Sequence, residues 1–165
     1  MKALILGFGN LYRRDDGVGR AVVNGVRERL GQAPLVGLDD GFDGLGQPVD
    51  AVVLHQLVPE LAETVAEYDR VIFVDAHVAD LPELLHEERI EPAHCPASFI
   101  SHQTHPATML ELAEKMAGRA PEGLMLSLRG HDFDFGEGLS PETAALVPLA
   151  VERVLGLLAG GFGQE

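Results

Sequence analysis

The chain has 165 residues, about the length of one domain, and such a chain can bury roughly 70% of the surface that it exposes when unfolded. Hydrophobic residues make up 46% of it and charged residues 23%, which excludes collagen, coiled coils and wholesale disorder. The net charge of −14 argues against nucleic acid and membrane surfaces as partners, because both are themselves negatively charged.

The first fifty residues predict a strand, a helix and a loop, in that order. Residues 3–6 are apolar without alternation and end at Gly7, which is typical of a buried strand. From Gly17 onward, apolar residues recur every four positions as far as Leu30, which predicts an amphipathic helix. Residues 31–50 contain five glycines and show no period, which predicts a long loop.

Two further strands follow, separated by a helical pattern. Residues 51–54 form a second apolar run, and Pro59 opens a helical pattern that reaches Tyr68. Residues 71–74 are all apolar and mostly β-branched, which predicts a strand that stops at Asp75.

The remaining predicted elements continue the alternation of strands and helices. A weaker strand is predicted at residues 84–90, a helix at 106–116 and a strand at 124–128. Ser140 and Pro141 have the residue types of an N-cap and a first helical position, so a last helix is predicted there. Strands that are apolar throughout and alternate with amphipathic helices predict an α/β fold, with a mostly parallel sheet covered on both faces.

The composition predicts a soluble protein of the cytoplasm. The apolar run behind Lys2 is too short for a secretion signal, and nowhere do about 18 apolar residues follow one another as a membrane span requires. Cys95 is the single cysteine, which excludes an internal disulfide and an all-cysteine metal site. A reducing compartment fits this cysteine usage.

Carboxylates and imidazoles follow the predicted strands, at the edge where ligands bind to parallel sheets. Asp15 and Asp16 come after the first strand, Asp75 after the central one, and His102 and His105 precede the third helix. Imidazole with carboxylate suits nickel, zinc, iron or manganese, so one interpretation is a cation site of Asp16, Asp75 and a histidine. The alternative is structural: an aspartate caps the first helix and Asp75 forms a turn hydrogen bond.

A nucleotide site is a weaker alternative at the first strand. Gly7 and Gly9 could bring backbone N–H groups to a phosphate, as in dinucleotide-binding loops. The third glycine of that motif is missing, and Asp15 and Asp16 place two negative charges where a pyrophosphate would lie. The signature of an α/β-hydrolase serine and the zinc-protease helix motif are also absent from the sequence.

Five segments occur in an order that is typical of one enzyme family. They are LILGFGN at residues 4–10, DDGVG at 15–19, VIFVDA at 71–76, SH at 101–102 and GLSP at 138–141. In these segments the chain resembles the maturation endopeptidases of nickel–iron hydrogenases. The resemblance implies a single peptidase domain over residues 1–165. It also implies a phosphorylase/hydrolase-like α/β fold, in which a twisted, mostly parallel sheet of about five strands lies between helices.

The resemblance also implies a reaction and a partner. Members of the family remove a short C-terminal extension from the nickel-loaded precursor of the hydrogenase large subunit. Residue by residue, the resemblance implies that Asp16, Asp75 and His102 contact the nickel, and that Asp16 and Asp75 are the catalytic residues. The nickel is carried by the substrate, so we expect no tightly bound metal at rest. A non-enzymatic nickel chaperone or sensor is the alternative function.

One departure from the family pattern concerns substrate selection. His55, Gln56 and Leu57 stand where many members have Asp-Gly-Gly-Thr, and they are similar to the subgroup that serves bidirectional, NAD(P)-linked hydrogenases. We expect these three residues to take part in substrate recognition; the alternative is that they only end a strand and begin a helix. His105 stands where relatives often have Thr or Ser, and it is a further candidate for substrate recognition.

Two other features have open interpretations. Arg13 and Arg14 either bind an acidic part of the substrate or form a solvated surface pair. Residues 130–138 could form a flap over the site.

Overall fold

A single five-stranded sheet organises the protein in a computed structural model that describes residues 1–94 and 104–160. The strands are β1 (Ala3–Phe8), β2 (Val49–Leu54), β3 (Arg70–His77), β4 (Leu85–Ile90) and β5 (Glu122–Arg129). Their order is β2-β1-β3-β5-β4; the pairs among the first four are parallel, and β4 runs antiparallel to β5. The predicted α/β fold with a mostly parallel sheet is therefore confirmed.

Helices cover both faces of this sheet. They are α1 (Val18–Arg29), α2 (Ala62–Val65), α3 (Pro106–Ala117), α4 (Pro141–Ala144) and α5 (Val147–Gly160). Successive side chains of a strand point to opposite faces, and in β1 Ile5 packs with α1 and α5, whereas Leu4 and Leu6 pack with α2 and α3. Because β1 is buried on both faces, its sequence is a continuous apolar run without alternation.

Strand β3 is longer than predicted. The sequence predicted that it stops at Asp75, but Ala76 and His77 continue the parallel pairing with Leu128 and Arg129 of β5. The length of a strand depends on how far its neighbour runs beside it, and this is not encoded in the strand's own residues. Asp75 therefore lies within the paired part of β3, opposite Ser127 of β5, and not in the loop that follows the strand.

The helix predicted from Pro59 to Tyr68 is also corrected. A 3-10 turn, Pro59–Leu61, leads into the short helix α2, and the chain then turns before β3. The hydroxyl of Tyr68 is buried and donates to Oδ2 of Asp50 at 2.6 Å. A buried hydroxyl requires a partner, so this bond holds the side chain of Tyr68 in the interior.

The last helical stretch is interrupted but begins as predicted. Oγ of Ser140 accepts a hydrogen bond from the N–H of Thr143 at 3.3 Å, and a turn separates α4 from α5. Residues Pro141–Gly160 are long and apolar enough to cross a membrane by length and composition alone. The buried face of α5 belongs to the core that it shares with α1, which accounts for its apolar composition.

The connections place a topological switch point at the ends of β1 and β3. From β1 the chain passes through α1 to β2 on one side, and then returns to β3 on the other side. Ligands bind at such points in open α/β sheets. The start of α1 lies directly against β1, because a Cβ on Gly7 would be 2.7 Å from the carbonyl oxygen of Gly19.

Candidate functional site

Asp16 lies in the turn between β1 and α1, at the switch point. The turn is a 3-10 helix, Arg14–Gly17, and the Asp16 carboxylate folds back so that Oδ2 accepts the N–H of Asn10 at 2.7 Å. Asp16 is half-buried and lines a cavity of about 240 Å³, which His55 also lines. Its carboxylate is therefore oriented by the backbone and faces an open cavity.

Asp75 provides a second carboxylate, at the end of β3. Its Oδ1 atom has almost no exposed surface and, among the residues that the structure describes, no hydrogen-bond partner. Burial raises the pKa of Asp75 well above its ordinary value; the N–H of Ala76 opposes this shift, and the charge of Asp16 adds to it. Asp75 lines a neighbouring cavity of about 460 Å³.

Gly9 lies against both carboxylate residues. Its φ is +143°, and a Cβ at this position would lie 1.9 Å from the backbone oxygen of Asp16 and 3.3 Å from Oδ1 of Asp75. Only glycine fits such a close approach in this backbone conformation. The structure therefore brings Asp16 and Asp75 to one switch point, although they open onto two neighbouring cavities that share Phe8 as a lining residue.

The predicted third member of the set, His102, lies outside the described residues, as does Cys95. Within residues 1–94 and 104–160, no three carboxylate, imidazole or thiol groups converge closely enough to hold a metal ion. The described part of the chain thus supplies two carboxylates of the predicted nickel-contacting set.

His105 is the N-cap of α3. Its Nδ1 atom accepts the N–H of Ala107 at 3.0 Å, and the ring is otherwise exposed beside the cavity that Asp75 lines. Nδ1 carries this bond, and within residues 1–94 and 104–160 no hydrogen bond involves Nε2 of His105. The residue therefore has a structural role, and the predicted role in substrate recognition concerns its other nitrogen.

The segment predicted for substrate recognition divides into exposed and buried residues. His55 and Gln56 are exposed at the end of β2, and His55 lines the same cavity as Asp16. Leu57 is fully buried and packs in the core beside α2 and α3. The burial of Leu57 favours the structural alternative for this residue, so the prediction of substrate recognition depends on His55 and Gln56.

Asp15 is a functional candidate that the sequence did not single out. Its carboxylate is fully buried and accepts hydrogen bonds from His131, Asp132, Ser140 and Thr143, over distances of 2.7 to 2.9 Å. Burial alone would raise the pKa of Asp15, but the hydrogen bonds outweigh it and lower the pKa to about 2.

The helix-capping part of the structural alternative is not what the structure shows. The N-cap of α1 is Gly17, and neither Asp15 nor Asp16 caps this helix. Asp15 instead connects the turn that carries Asp16 to the segment 131–143, which follows β5. No local motif could have indicated this, because the partners lie 116 to 128 residues away in the sequence.

The two neighbouring arginines contact the same segment. The Nε–H of Arg13 donates to the carbonyl oxygen of Phe133 at 3.1 Å, and its guanidinium lies 4.9 Å from the centre of the Phe135 ring. Nε of Arg14 lies 3.7 Å from a carboxylate oxygen of Asp132. Arg13 and Arg14 are therefore not simply a solvated pair, and the segment that could have formed a flap is fixed to them.

His77 and Ser127 form a buried pair next to Asp75. The Nε2–H of His77 donates to the carbonyl oxygen of Glu83 at 2.7 Å, because a carbonyl can only accept. In the neutral ring Nδ1 then accepts the hydroxyl of Ser127, also at 2.7 Å. Both ring nitrogens of His77 are used within the protein, so His77 is not a free metal ligand.

Solved structures of known proteins share this fold. No family model matches the chain, and no curated protein sequence matches it. The hydrogenase maturating endopeptidase HybD from E. coli superimposes with a TM-score of 0.71 at 25% identity, over 98% of this chain and 94% of that chain.

Two archaeal structures extend this similarity. The NiFe hydrogenase maturation protease HybD from Thermococcus kodakarensis has a TM-score of 0.64 at 21% identity, over 95% of this chain and 99% of that one. The hydrogenase 2 maturation peptidase from a Thaumarchaeota archaeon has a TM-score of 0.61 at 22% identity, over 99% and 100% of the two chains. The structural neighbours of this protein are therefore NiFe hydrogenase maturation proteases.

Proposed function

We propose that this protein is an endopeptidase that removes a short C-terminal extension from the nickel-loaded precursor of a nickel–iron hydrogenase large subunit. One observation carries the proposal. Asp16 and Asp75 meet beside Gly9 at the switch point of a fold that the E. coli maturating endopeptidase shares over 98% of this chain. The two residues each line a cavity, so their carboxylates are placed to contact a metal-bearing protein substrate.

The nickel in this proposal belongs to the substrate, and the peptidase holds none at rest. The buried Oδ1 of Asp75 has no donor among the described residues, and a cation brought in by the substrate would satisfy it. Carboxylate with imidazole is a donor set that suits nickel. Asp16, Asp75 and His102 form the proposed contact set, with Asp16 and Asp75 as the catalytic residues.

Water is the proposed nucleophile. The contacts to nickel would fix the scissile bond near the two carboxylates, so that binding energy supplies orientation. Ser127 and His77 are spaced like a nucleophile and its base. However, Ser127 is only 4% exposed. Among the described residues, the group that orients the ring of His77 is the carbonyl of Glu83 and not a carboxylate. This pair therefore supports the sheet beside Asp75 and does not attack the substrate.

Substrate selection is proposed to involve exposed residues around the two cavities. His55 and Gln56 follow β2 at the cavity of Asp16, and His105 borders the cavity of Asp75. The similarity of residues 55–57 to one subgroup leads us to propose a bidirectional, NAD(P)-linked hydrogenase as the system that is served. We propose that residues 1–165 form one peptidase domain.

The precursor is the proposed partner, and the cytoplasm is the proposed location. A net charge of −14 would repel the phosphates of nucleic acids and of anionic lipids, which supports a protein partner. A single cysteine fits a reducing compartment.

The proposal is tested with a nickel-loaded precursor whose mass is measured before and after incubation. We expect the wild type to remove a short C-terminal peptide, and to leave a nickel-free precursor intact. Asp16→Asn, Asp75→Asn and His102→Ala should each abolish the cleavage while their circular dichroism and thermal unfolding show a folded protein. Full activity in all three variants would refute the assignment of the site.

The same protein preparation tests the alternative of a nickel chaperone or sensor. Titration calorimetry of the metal-free protein with nickel ions should show no tight binding, because the contact set is completed by the substrate. Binding at micromolar affinity or tighter, together with an intact precursor, would favour the chaperone. The names of the structural neighbours favour the peptidase.

A further inference from the structure

An exposed cluster of two aromatic rings and a guanidinium lies beside the site; we call Tyr12, Arg13 and Phe135 the aromatic lip. Phe135 is 79% exposed and Tyr12 is 53% exposed, and the Arg13 guanidinium lies over the Phe135 ring. Exposed apolar groups that lie together mark interaction sites, and tyrosine and arginine are among the residues that contribute most to binding protein partners.

Backbone hydrogen bonds hold the two segments of the aromatic lip side by side. The N–H of Gly136 donates to the carbonyl oxygen of Tyr12 at 2.9 Å, and the N–H of Arg14 donates to the oxygen of Gly136 at 3.1 Å. Arg13 and Gly136 form an isolated parallel bridge. Tyr12 and Phe135 are thus displayed on paired backbone, and a preorganised surface loses less entropy on binding than a mobile loop.

The buried carboxylate of Asp15 fixes both ends of the segment that carries Phe135. It accepts the N–H groups of His131 and Asp132 at 2.7 and 2.9 Å, and the N–H of Ser140 at 2.7 Å. A segment held at both ends keeps its tip in place. Phe135 is therefore exposed on a segment that hydrogen bonds anchor at both ends.

The aromatic lip is continuous with the proposed site. Tyr12 also lines the cavity of about 240 Å³ that Asp16 and His55 line. A protein that places part of its chain beside Asp16 can therefore also contact Tyr12, with Arg13 next to it in the chain and Phe135 on the paired segment.

The charge on the aromatic lip indicates what the partner presents. Arg13 is exposed and, within the described part of the chain, forms no salt bridge. Arg14, by contrast, faces Asp132, and the exposed acids Asp134 and Glu137 of the same segment do not pair with Arg13 either. A carboxylate of a partner can therefore bind the guanidinium of Arg13 while apolar groups cover the two rings.

We propose that the aromatic lip is a docking surface for the hydrogenase large-subunit precursor, and that it receives an apolar patch with a carboxylate beside the segment to be cleaved. This inference rests on the proposed function and adds a contact outside the catalytic site. It predicts that the lip contributes to affinity and leaves the chemical step unchanged.

The test compares Phe135→Ala and Arg13→Glu with the wild type and with Leu149→Ala, which removes a similarly exposed apolar side chain (57%) on α5. Affinity for the nickel-loaded precursor is measured by biolayer interferometry, and cleavage is measured by mass. We expect Phe135→Ala and Arg13→Glu to weaken binding and raise KM about tenfold, with kcat within about twofold. Leu149→Ala should match the wild type, and thermal unfolding should show all variants folded.

The outcomes separate this inference from the proposed function. A wild type that binds the precursor without cleaving it would overturn the peptidase, and weaker binding by Phe135→Ala would still support the docking surface. A wild type that cleaves, with unchanged KM in both variants, would overturn the docking surface alone. If sedimentation showed a wild-type dimer that Phe135→Ala dissociates, the lip would be a self-interface and the inference would be wrong.

Discussion

Ser140 donates both its backbone N–H and its hydroxyl to the carboxylate of Asp15, each at 2.7 Å. The same serine begins α4, where its Oγ also accepts the N–H of Thr143. One residue thus connects the start of the last helices with the turn that carries Asp16. The geometry of the proposed site therefore depends on a part of the chain that does not itself contain a proposed catalytic residue.

The low pKa of Asp15 predicts an acid-sensitive contribution to stability. Its pKa is about 2 in the folded protein and 3.8 ordinarily, so the unfolded chain binds a proton first as the pH falls. The ionised Asp15 contributes about 2 kcal/mol to the free energy of unfolding. This contribution is complete above pH 4 and is lost as the pH falls from 4 to 2. Denaturant unfolding at several pH values measures it, and the difference between wild type and Asp15→Asn should shrink over this range. A constant difference would contradict the prediction.

Asp15→Asn should also impair catalysis, whereas a matched change elsewhere should not. Asp50 is buried too and accepts bonds from Tyr68, Gly46 and Gln47, but it lies near the amino end of β2, away from the site. Both substitutions should lower stability by about 1–3 kcal/mol.

The two variants are compared in the precursor assay at a temperature at which both are folded. Asp15→Asn should lower kcat more than about tenfold, because small displacements of catalytic groups are costly, and Asp50→Asn should stay within about twofold. Equal kcat values in the two variants would show that Asp15 acts through stability alone.

Asp75→Asn should abolish cleavage and raise thermal stability at neutral pH. Because burial raises the pKa of Asp75, its folded-state pKa exceeds its unfolded-state pKa. Its contribution to stability is then most favourable at low pH and declines as the pH rises and the buried group must ionise. We expect the melting temperature of Asp75→Asn to exceed that of the wild type by a few degrees at pH 7, and the gain to vanish near pH 3. A lower melting temperature at pH 7 would contradict this.

His105 and His102 should respond differently to substitution. His105→Ala removes the N-cap of α3, which should lower stability by about 1 kcal/mol. If the imidazole also recognises the substrate, KM should rise several-fold with kcat nearly unchanged. His105→Asn can restore the cap, so it should recover stability and keep the raised KM. His102→Ala should lower kcat instead; the reverse pattern would exchange the roles of the two histidines.

Ser127→Ala distinguishes water from a serine nucleophile. The substitution removes the hydroxyl bonded to His77 and should lower stability by about 1 kcal/mol. With water as the nucleophile, kcat should stay within about twofold of the wild type. Loss of cleavage in a folded Ser127→Ala protein would make the Ser127–His77 pair the nucleophile and base.

Local sequence was sufficient for most of the fold. Residues 3–6, 51–54 and 71–74 predicted buried strands because a strand covered on both faces needs apolar residues throughout, and all three lie within strands of the sheet. The four-residue period from Gly17 to Leu30 predicted α1 to within a residue or two. Boundaries that depend on a neighbouring strand, as at Asp75, were not predicted.

The geometry around Asp16 and Asp75 was predictable only in part. The position of Asp16 and Asp75 after apolar strands placed them at the carboxyl edge of the sheet, and the structure brings both against Gly9. Sequence order alone did not show that they open onto two cavities, nor that Leu57 is buried while His55 is exposed. Burial of a single side chain depends on the elements that pack over it.

The amino-acid sequence by itself determined the strands, the helices and the residue types at the switch point, because periodicity and capping act between residues a few positions apart. Only the tertiary structure decided the surroundings of Asp15 and the exposure of the aromatic lip. The donors that surround Asp15 are 116 to 128 residues away along the chain, and Arg13 meets Phe133 across 120 residues. Whether a carboxylate is buried and hydrogen-bonded, or an aromatic ring is exposed, depends on neighbours that only the folded chain provides.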